Sequence, residues 1–277
     1  MLELLDALRQ QDGSPDYEVI VADRRLDRIT ELIRDNYPEV RLLLCAAGTP
    51  LPELRTRALE CAHSEYIVVT EDHCVPPRHW LASILKAFEA APMETVAVGG
   101  PVENGVVDSA LDWATFLCEY SAFVAPVPNG PTPSLPGMNV AYRRSALIQL
   151  SREVLIGGFW ETTVHPLFTR KSLLLYQSDT IQIVHKKKFS LQLFIHQRFL
   201  YSRYYAGLRM CRSTLVARLV MSILTLGLPA LLLLRIGRNL MTKKRLIPQF
   251  IRALPYLIIF VLIWACGELV GYLRGPG

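Results

Sequence analysis

The residues with the greatest chemical potential stand together in Glu71-Asp72-His73, three consecutive side chains able to ligate a cation. They follow an apolar, β-branched run at residues 66–69 that has the composition of a buried strand. Cys74, Val75 and the paired prolines Pro76 and Pro77 then force a turn before a helix that starts near Trp80. Carboxylate oxygens at the carboxyl end of a strand suit Mg²⁺ or Mn²⁺, and a cation held there can neutralise a diphosphate. His73 is an acceptable ligand for Mn²⁺ and a less natural one for Mg²⁺. A second carboxylate, Asp23, ends the strand pattern of residues 17–22. Taken alone, an acidic triplet is also what a solvated turn looks like, so the surrounding elements decide.

Those elements alternate. Residues 2–11 carry a helical pattern with Leu4, Leu5 and Leu8 on one face, closed by Asp12-Gly13-Ser14-Pro15. A strand over 17–22, a helix over 27–36, a strand over 40–44, a helix over 54–61 and the strand before Glu71 follow. This is the signature of a parallel α/β sheet, and right-handed crossovers then put Asp23 and Asp72 on one sheet edge, facing one crevice. Further on, residues 96–101 predict a short strand and a glycine turn. Residues 108–124 predict a helix whose Trp113, Phe116, Tyr120 and Phe123 are core. Residues 125–136, rich in Pro and Gly, predict a loop that acts as a lid. A strand is predicted from Asn139 to Tyr142, a helix after Glu161 capped by Thr162 or Thr163, and a strand over 181–184 with His185 at its end.

Composition narrows the class. Of 277 residues 51% are hydrophobic, and the mean hydropathy is +0.25, both high for a purely soluble chain. The excess is concentrated after Leu215, and much of the basic charge behind the net +5 lies beside it. That placement fits a membrane surface better than a nucleic-acid groove, and no zinc-finger spacing or basic-aromatic RNA motif is present, so no nucleic-acid partner is expected. The six cysteines lie far apart without a CxxC, which predicts reduced, mostly buried thiols in a cytosolic setting. Met1 leads directly into the first helix, with no signal-peptide pattern.

Four motifs in order resemble the family 2 glycosyltransferases, whose nucleotide-sugar-binding domain has the GT-A fold. Glu18 to Leu26 read EVIVADRRL where family members commonly read EVIVVDDGS. Glu71-Asp72-His73 stand where they carry D-x-D or D-D-D. Gly137-Met138-Asn139-Val140-Ala141-Tyr142-Arg143-Arg144 resemble G-A-N-x-A-F-R-R, and Gly157-Gly158-Phe159-Trp160-Glu161 resemble G-G-F-x-E. The resemblance covers roughly residues 1–210. It implies an α/β, GT-A (Rossmann-like) domain over 1–212, followed by a membrane-associated helical segment over 213–277. The family's opening apolar strand is missing before the first helix, so the domain is expected to be truncated at its N-terminus. The resemblance further implies an inverting, metal-dependent transfer from a nucleotide-diphosphate sugar with Mg²⁺ or Mn²⁺. Glu161 is then the catalytic carboxylate. Asp23, Arg55, Asp72, Arg198 and Arg203 contact the donor. Gly137, Asn139, Gly158 and Trp160 contact the acceptor, and Glu71, Asp72, His73 and His185 hold the metal. His165, one turn on from Glu161, is expected to be a supporting or capping residue. Arg198 and Arg203 belong to a basic, aromatic stretch that also holds Arg209 and Arg212 and suits an interfacial helix.

Residues 215–234 and 253–273 are each long enough, at about 1.5 Å per residue, to cross a bilayer. The linker over 235–252 holds six basic residues and no acid. If the catalytic domain faces the cytoplasm, a simple hairpin places that linker outside, against the positive-inside rule; Pro229 offers a kink that would make the first segment re-entrant or interfacial. The acceptor expected from such an anchor is a lipid or a membrane-proximal glycan. Two other readings fit parts of the pattern: a degenerate, non-catalytic membrane member of the family, and a nucleotidyltransferase, which shares strand-end carboxylates but does not need the Gly137 and Gly158 motifs.

Overall fold

The computed structural model describes residues 1–13, 16–210 and 213–276. The expected turn at Ser14-Pro15, and Cys211 and Arg212, lie outside the described residues. The chain forms two compact units, Met1–Glu103 with Ala125–Lys186, and Asn104–Val124 with Lys187–Gly277.

The first unit opens with α1 (Leu2–Arg9), which buries Leu4, Leu5 and Leu8. β1 (Val19–Asp23) starts later than its apolar run, because the hydroxyl of Tyr17 turns back to donate to the Leu8 carbonyl. α2 (Arg28–Asn36) is capped by Asp27, whose side chain accepts from Ile29 N–H. β2 (Val40–Leu44) follows, and then α3 (Leu51–Cys61), which begins ahead of the predicted helix because Pro50 is extended and Pro52 fits the first helical turn. β3 (Tyr66–Val69), β4 (Cys74–Val75), α4 (Trp80–Ala90), β5 (Thr95–Gly99) and β6 (Val102–Asn104) come next. In the second unit, α5 (Ala110–Tyr120) starts in a capping box between Ser109 and Asp112. The chain returns to the first unit with β7 (Gly130–Thr132), β8 (Val140–Arg143), α6 (Arg144–Leu147), α7 (Arg152–Gly158), α8 (Glu161–Thr169), β9 (Leu174–Gln177) and β10 (Ile183–His185).

The fold is mixed α/β, as the sequence predicts, but the strands do not form one parallel sheet. β1 and β2 pair in parallel as a sheet of their own, β4, β10 and β6 form another, and the main sheet runs β3-β8-β5-β9-β7. β8 lies antiparallel between β3 and β5, and β7 is antiparallel to β9. Asp23 therefore ends a strand of the two-stranded sheet, whereas Asp72 lies in the turn from β3 to β4, and among the described residues no shared ladder fixes the distance between them. The segment read as a free loop over 125–136 contributes β7, stitched to β9 by the pairs Gly130–Gln177, Pro131–Tyr176 and Thr132–Leu175. The core over the main sheet contains Ala97, Val140, Tyr142, Leu147, Phe159, Val164 and Phe168. α7 runs through Gly157 and Gly158, and Trp160, not Thr162 or Thr163, is the N-cap of α8.

The second unit continues with α9 (Leu191–Arg209), α10 (Leu215–Leu224), one 3₁₀ turn at Thr225–Gly227, α11 (Leu228–Lys243) and α12 (Ile247–Arg274). Pro229 occupies the first turn of α11, where no backbone donor is required, so the first apolar segment continues to Lys243 instead of ending near residue 234. α12 begins at Ile247, with Pro248 in its first turn. Among the described residues, two helices are long and apolar enough to cross a membrane, Leu215–Lys243 and Ile247–Arg274. Of the described cysteines, Cys45 and Cys74 are buried, Cys61 and Cys118 partly so, and Cys266 is exposed; all are free thiols.

Candidate active site

The turn after β3 delivers Glu71 and His73, and β4 then pairs antiparallel with β10 in a register that sets Cys74 opposite His185. Lys186 N–H donates to the His73 carbonyl at 2.8 Å, which locks the two segments together. Residues 112 apart in sequence are thereby brought into contact: His73 Nε2 lies 3.0 Å from His185 Nε2 and 3.1 Å from Glu71 Oε2. One ligand atom from each of Glu71, His73 and His185 lies within 4.8 Å of the others. Two imidazole nitrogens and a carboxylate oxygen fit a divalent cation, and this mixed set suits Mn²⁺ better than Mg²⁺. Asp72 stands outside the trio. Its Oδ1 takes the other ring nitrogen, 2.8 Å from His73 Nδ1. That is the position of a carboxylate that orients a ligating histidine. Beside the cluster, burial, then the Glu71 carboxylate, pushes the Cys74 thiol up to about 12.

Arg55 ties the cluster to the next part of the site. It donates to the Phe159 carbonyl at 3.1 Å. It also lies 3.6 Å from Glu71 Oε1 and holds its guanidinium 5.1 Å from the centre of the Trp160 ring. Glu161 is the first residue of α8, where the helix dipole favours a carboxylate. It packs against Gly137: a Cβ at that glycine would lie 2.8 Å from Glu161 Cδ and closer still to Oε2. Gly137, Trp160, Glu161 and Arg55 are thus neighbours of one another, with Glu71 one ion pair away.

Behind Glu161 is a buried pair that sequence reasoning had not joined. Tyr142 Oη lies 2.9 Å from His165 Nε2. His165 Nδ1 accepts from the Leu135 N–H at 3.4 Å, so the imidazole proton sits on Nε2 and is donated to the tyrosine oxygen. Burial lowers the His165 pKa to about 4. Burial, then the Glu161 carboxylate, raises that of Tyr142, while Arg55 opposes the shift. The signal available in sequence was Tyr142 itself, standing where the resembled motif carries phenylalanine.

Other expected site residues are placed elsewhere. Asn139 is fully buried and its amide is spent on the fold: Oδ1 accepts from Trp80 Nε1 at 2.9 Å, and Nδ2 donates to the carbonyls of Pro101 at 3.1 Å and Ile181 at 2.6 Å. Asp23 shapes its own loop, accepting from Arg25 N–H at 2.8 Å and from the Thr30 hydroxyl. Gly158 closes α7 with its Cβ position 3.0 Å from the Thr163 side chain. Arg198 and Arg203 belong to the second unit. Arg198 is buried there against Glu119, with its guanidinium over Phe194 and Trp264, and Arg203 Nε donates to the Gly275 carbonyl at 3.4 Å.

With this geometry in place, comparison with known proteins gives two results. The sequence family described as "Glycosyl transferase family 2" matches residues 1–151, whereas no curated protein matches the chain. Among solved structures, the mannosyltransferase PcManGT from Pyrobaculum calidifontis, in complex with GDP-Man and Mn²⁺, is similar at a TM-score of 0.59 and 17% identity, over 97% of this chain and 82% of its own. S. aureus TarS, in complex with UDP, gives a TM-score of 0.45 and 15% identity, over 73% of this chain and 60% of its own. The first likeness is one of fold, GT-A-like, and the second is too distant to add to it.

Proposed function

The chain belongs to glycosyltransferase family 2, and on that premise we propose that it transfers a sugar from a nucleotide-diphosphate donor to a lipid or membrane-proximal glycan, with inversion at the anomeric carbon. The observation that carries the reading is Arg55, whose one guanidinium spans the Glu71 carboxylate and the Phe159–Trp160 backbone and ring. It holds the cation cluster and the Glu161 helix in a fixed relation, which is what transfer between a bound donor and a bound acceptor needs.

Glu71, His73 and His185 would hold the cation, Mn²⁺ in preference to Mg²⁺, with Asp72 setting the His73 ring. When bound, the cation supplies charge neutralisation for the nucleoside diphosphate as it leaves. Asp23 shapes the loop over 23–27 that receives the nucleoside. Gly137 leaves room for Glu161 to reach the acceptor, and Trp160 excludes water from it. Glu161 takes the proton of the acceptor hydroxyl as the new glycosidic bond forms on one face of the sugar and the bond to the diphosphate breaks on the other. The Tyr142–His165 pair backs this carboxylate and carries no proton in the step. Neither Arg198 nor Arg203 is assigned to the diphosphate: Glu119 occupies the Arg198 guanidinium, and Arg203 Nε donates to the Gly275 carbonyl. The transfer chemistry belongs to residues 1–212 and the membrane attachment to 213–277, with the catalytic side facing the cytoplasm. The GDP-Man and Mn²⁺ of the similar mannosyltransferase support a purine diphosphate sugar as the first donor to test.

Replacement of Glu161 by Gln keeps the shape and removes the basicity. Turnover should fall by roughly 10² to 10⁴, while nucleotide affinity measured by calorimetry with Mn²⁺ stays the same. Near-normal turnover would take Glu161 out of the mechanism.

A further inference from the structure

A groove of about 500 Å³ opens in the first unit, between the face of α4 that carries Ser83, Lys86 and Ala90 and the segment from Tyr176 to Gln182, with Asn129 at its margin. Neither the cation cluster nor the Glu161 region contributes to its walls. Polar side chains from both walls face the groove, His79, Ser83 and Lys86 from one side and Tyr176, Ser178 and Gln182 from the other. Asn129 spends its Oδ1 on the Asp179 N–H at 2.8 Å, and Ser178 and Thr180 share a hydroxyl contact at 2.9 Å.

The chemistry of the walls selects the ligand. The lining is mixed: apolar surface from Ala87, Ala90 and the Tyr176 ring alternates with hydroxyls, amides and the His79 imidazole, and the charged groups are of both signs, Lys86 and Asp179. A diphosphate would demand several cations, where the walls offer Lys86 and His79 beside the opposing Asp179, and an acyl chain would leave the hydroxyl and amide groups of the walls without partners. Neutral sugar units, which carry both apolar C–H faces and hydroxyls, match this mixed lining by stacking on Tyr176 and exchanging hydrogen bonds with Asn129, Gln182 and Lys86.

The topology relates the groove to the site. β3 and β9 run in the same direction in the main sheet, because β3 and β5 are both antiparallel to β8 and β9 is parallel to β5. Tyr176 and Ser178, at the carboxyl end of β9, therefore share a sheet edge with Glu71 and His73, which follow β3. Three strand spacings separate them, about 14 Å at ~4.8 Å each. From the groove wall the chain passes along β10 directly to His185. We propose that this groove is a subsite for the distal sugars of an oligosaccharide acceptor, so that the acceptor of this enzyme is a growing glycan chain and not an isolated lipid monosaccharide. The inference rests on the glycosyltransferase reading given above.

The test uses the full chain in detergent, with saturation-transfer NMR against neutral linear glucan, mannan and chitin oligosaccharides and the matching monosaccharides. Ala90 is exposed on the groove wall, so Ala90→Trp fills the groove without entering the core, and Tyr176→Ala removes the stacking ring as an independent variant. At least one oligosaccharide series should bind more tightly than its monosaccharide, and both variants should weaken it by about tenfold, equivalent to ~1.4 kcal/mol. Binding of GDP and UDP with Mn²⁺, measured by calorimetry, should be untouched in both. Oligosaccharides that bind no better than monosaccharides, or binding that ignores both substitutions, would overturn the subsite while leaving the enzyme reading intact. Failure of the unmodified protein to bind either nucleotide would instead overturn the glycosyltransferase reading on which it rests.

Discussion

At the scale of single residues, the site depends on which nitrogen of an imidazole each carboxylate takes. Glu71 lies on the Nε2 side of His73 with His185, and Asp72 lies on the Nδ1 side. An orienting carboxylate of this kind is worth a factor of about 10 to 100 in metal affinity. Asp72→Asn should weaken Mn²⁺ binding by that factor, read from the free-ion paramagnetic resonance signal during titration. His73→Ala should remove binding altogether. An Asp72→Asn protein with unchanged affinity would mean that the ring is held by β4 and β10 alone. His165 makes a second residue-scale prediction. Its folded-state pKa, about 4, lies below the ordinary 6.5, so between those values the unfolded chain binds the extra proton. Stability from this group is complete above pH 6.5 and is lost as pH falls toward 4, by roughly 3 kcal/mol in all. His165→Gln should flatten that part of the melting-temperature profile relative to the parent protein, while the contributions of other groups remain common to both. Parallel profiles would place the titration elsewhere.

At the scale of elements, α9 and α12 pack along their length through glycines. A Cβ at Gly267 would lie 2.5 Å from the Phe199 carbonyl oxygen, and one at Gly271 would lie 2.8 Å from Ala206 Cβ and 3.0 Å from Gly207 N. Gly271→Val must therefore push the helices apart, at a cost of about 1–3 kcal/mol typical of overpacking. A thermal melt should show it, against Gly227→Ala as a control, since Gly227 has open space around it. Equal melting temperatures would show that the contact is dispensable. Element by element, the sequence was legible where the signal is local. Val40–Leu44, Tyr66–Val69 and the start of α4 at Trp80 fall where the apolar runs and the Pro76-Pro77 turn place them. It was not legible where a distant partner decides. β7 forms from a Pro- and Gly-rich stretch only because β9 offers it a ladder, and Gly157 and Gly158 stay helical because α7 buries Leu155 behind them. The separation of β1–β2 from the main sheet concerns pairing, which periodicity does not encode. The site follows the same division. Glu71 and His73 stand out in sequence as a strand-end triplet, but the contact of His73 with His185 exists only through the register of β4 on β10. Arg55 looks like its neighbour Arg57, yet Arg57 pairs with Glu53 on its own helix while Arg55 reaches across to Phe159 and Glu71.

At the scale of the whole molecule, the question is how the apolar C-terminal helices meet a bilayer. Along α10 and α11, Val216, Ile223, Leu224, Leu231 and Leu234 are all exposed, an apolar surface that protein does not cover. α12 is two-sided: Leu257, Phe260, Val261 and Tyr272 are buried while Ile251, Ile258 and Leu262 are exposed. Its second half carries Glu268, hydrogen-bonded by Trp264 Nε1 at 2.8 Å and Tyr272 Oη at 2.7 Å and faced by Arg209 at 3.8 Å. α9, packed against that half, keeps His196 and Arg209 exposed. A perpendicular crossing of α12 would drag those polar groups of α9 into hydrocarbon, at a cost of several kcal/mol for each unsatisfied group. An arrangement in which α9 and α12 lie at the interface, with the apolar faces of α10, α11 and α12 sunk into the acyl region, avoids that cost. It also lets the exposed Arg235, Arg238, Lys244 and Arg252, which lie in and between the facing ends of the two apolar helices, meet anionic headgroups, a placement that the positive-inside bias favours on the cytoplasmic side. The protein should therefore remain with membranes through a carbonate wash. In a background where the exposed Cys266 is replaced by Ser, Asn239→Cys should resist an impermeant thiol reagent added outside intact cells and react once the cells are opened. Labelling from outside would put the turn between α11 and α12 across the bilayer and replace the interfacial arrangement with a spanning hairpin.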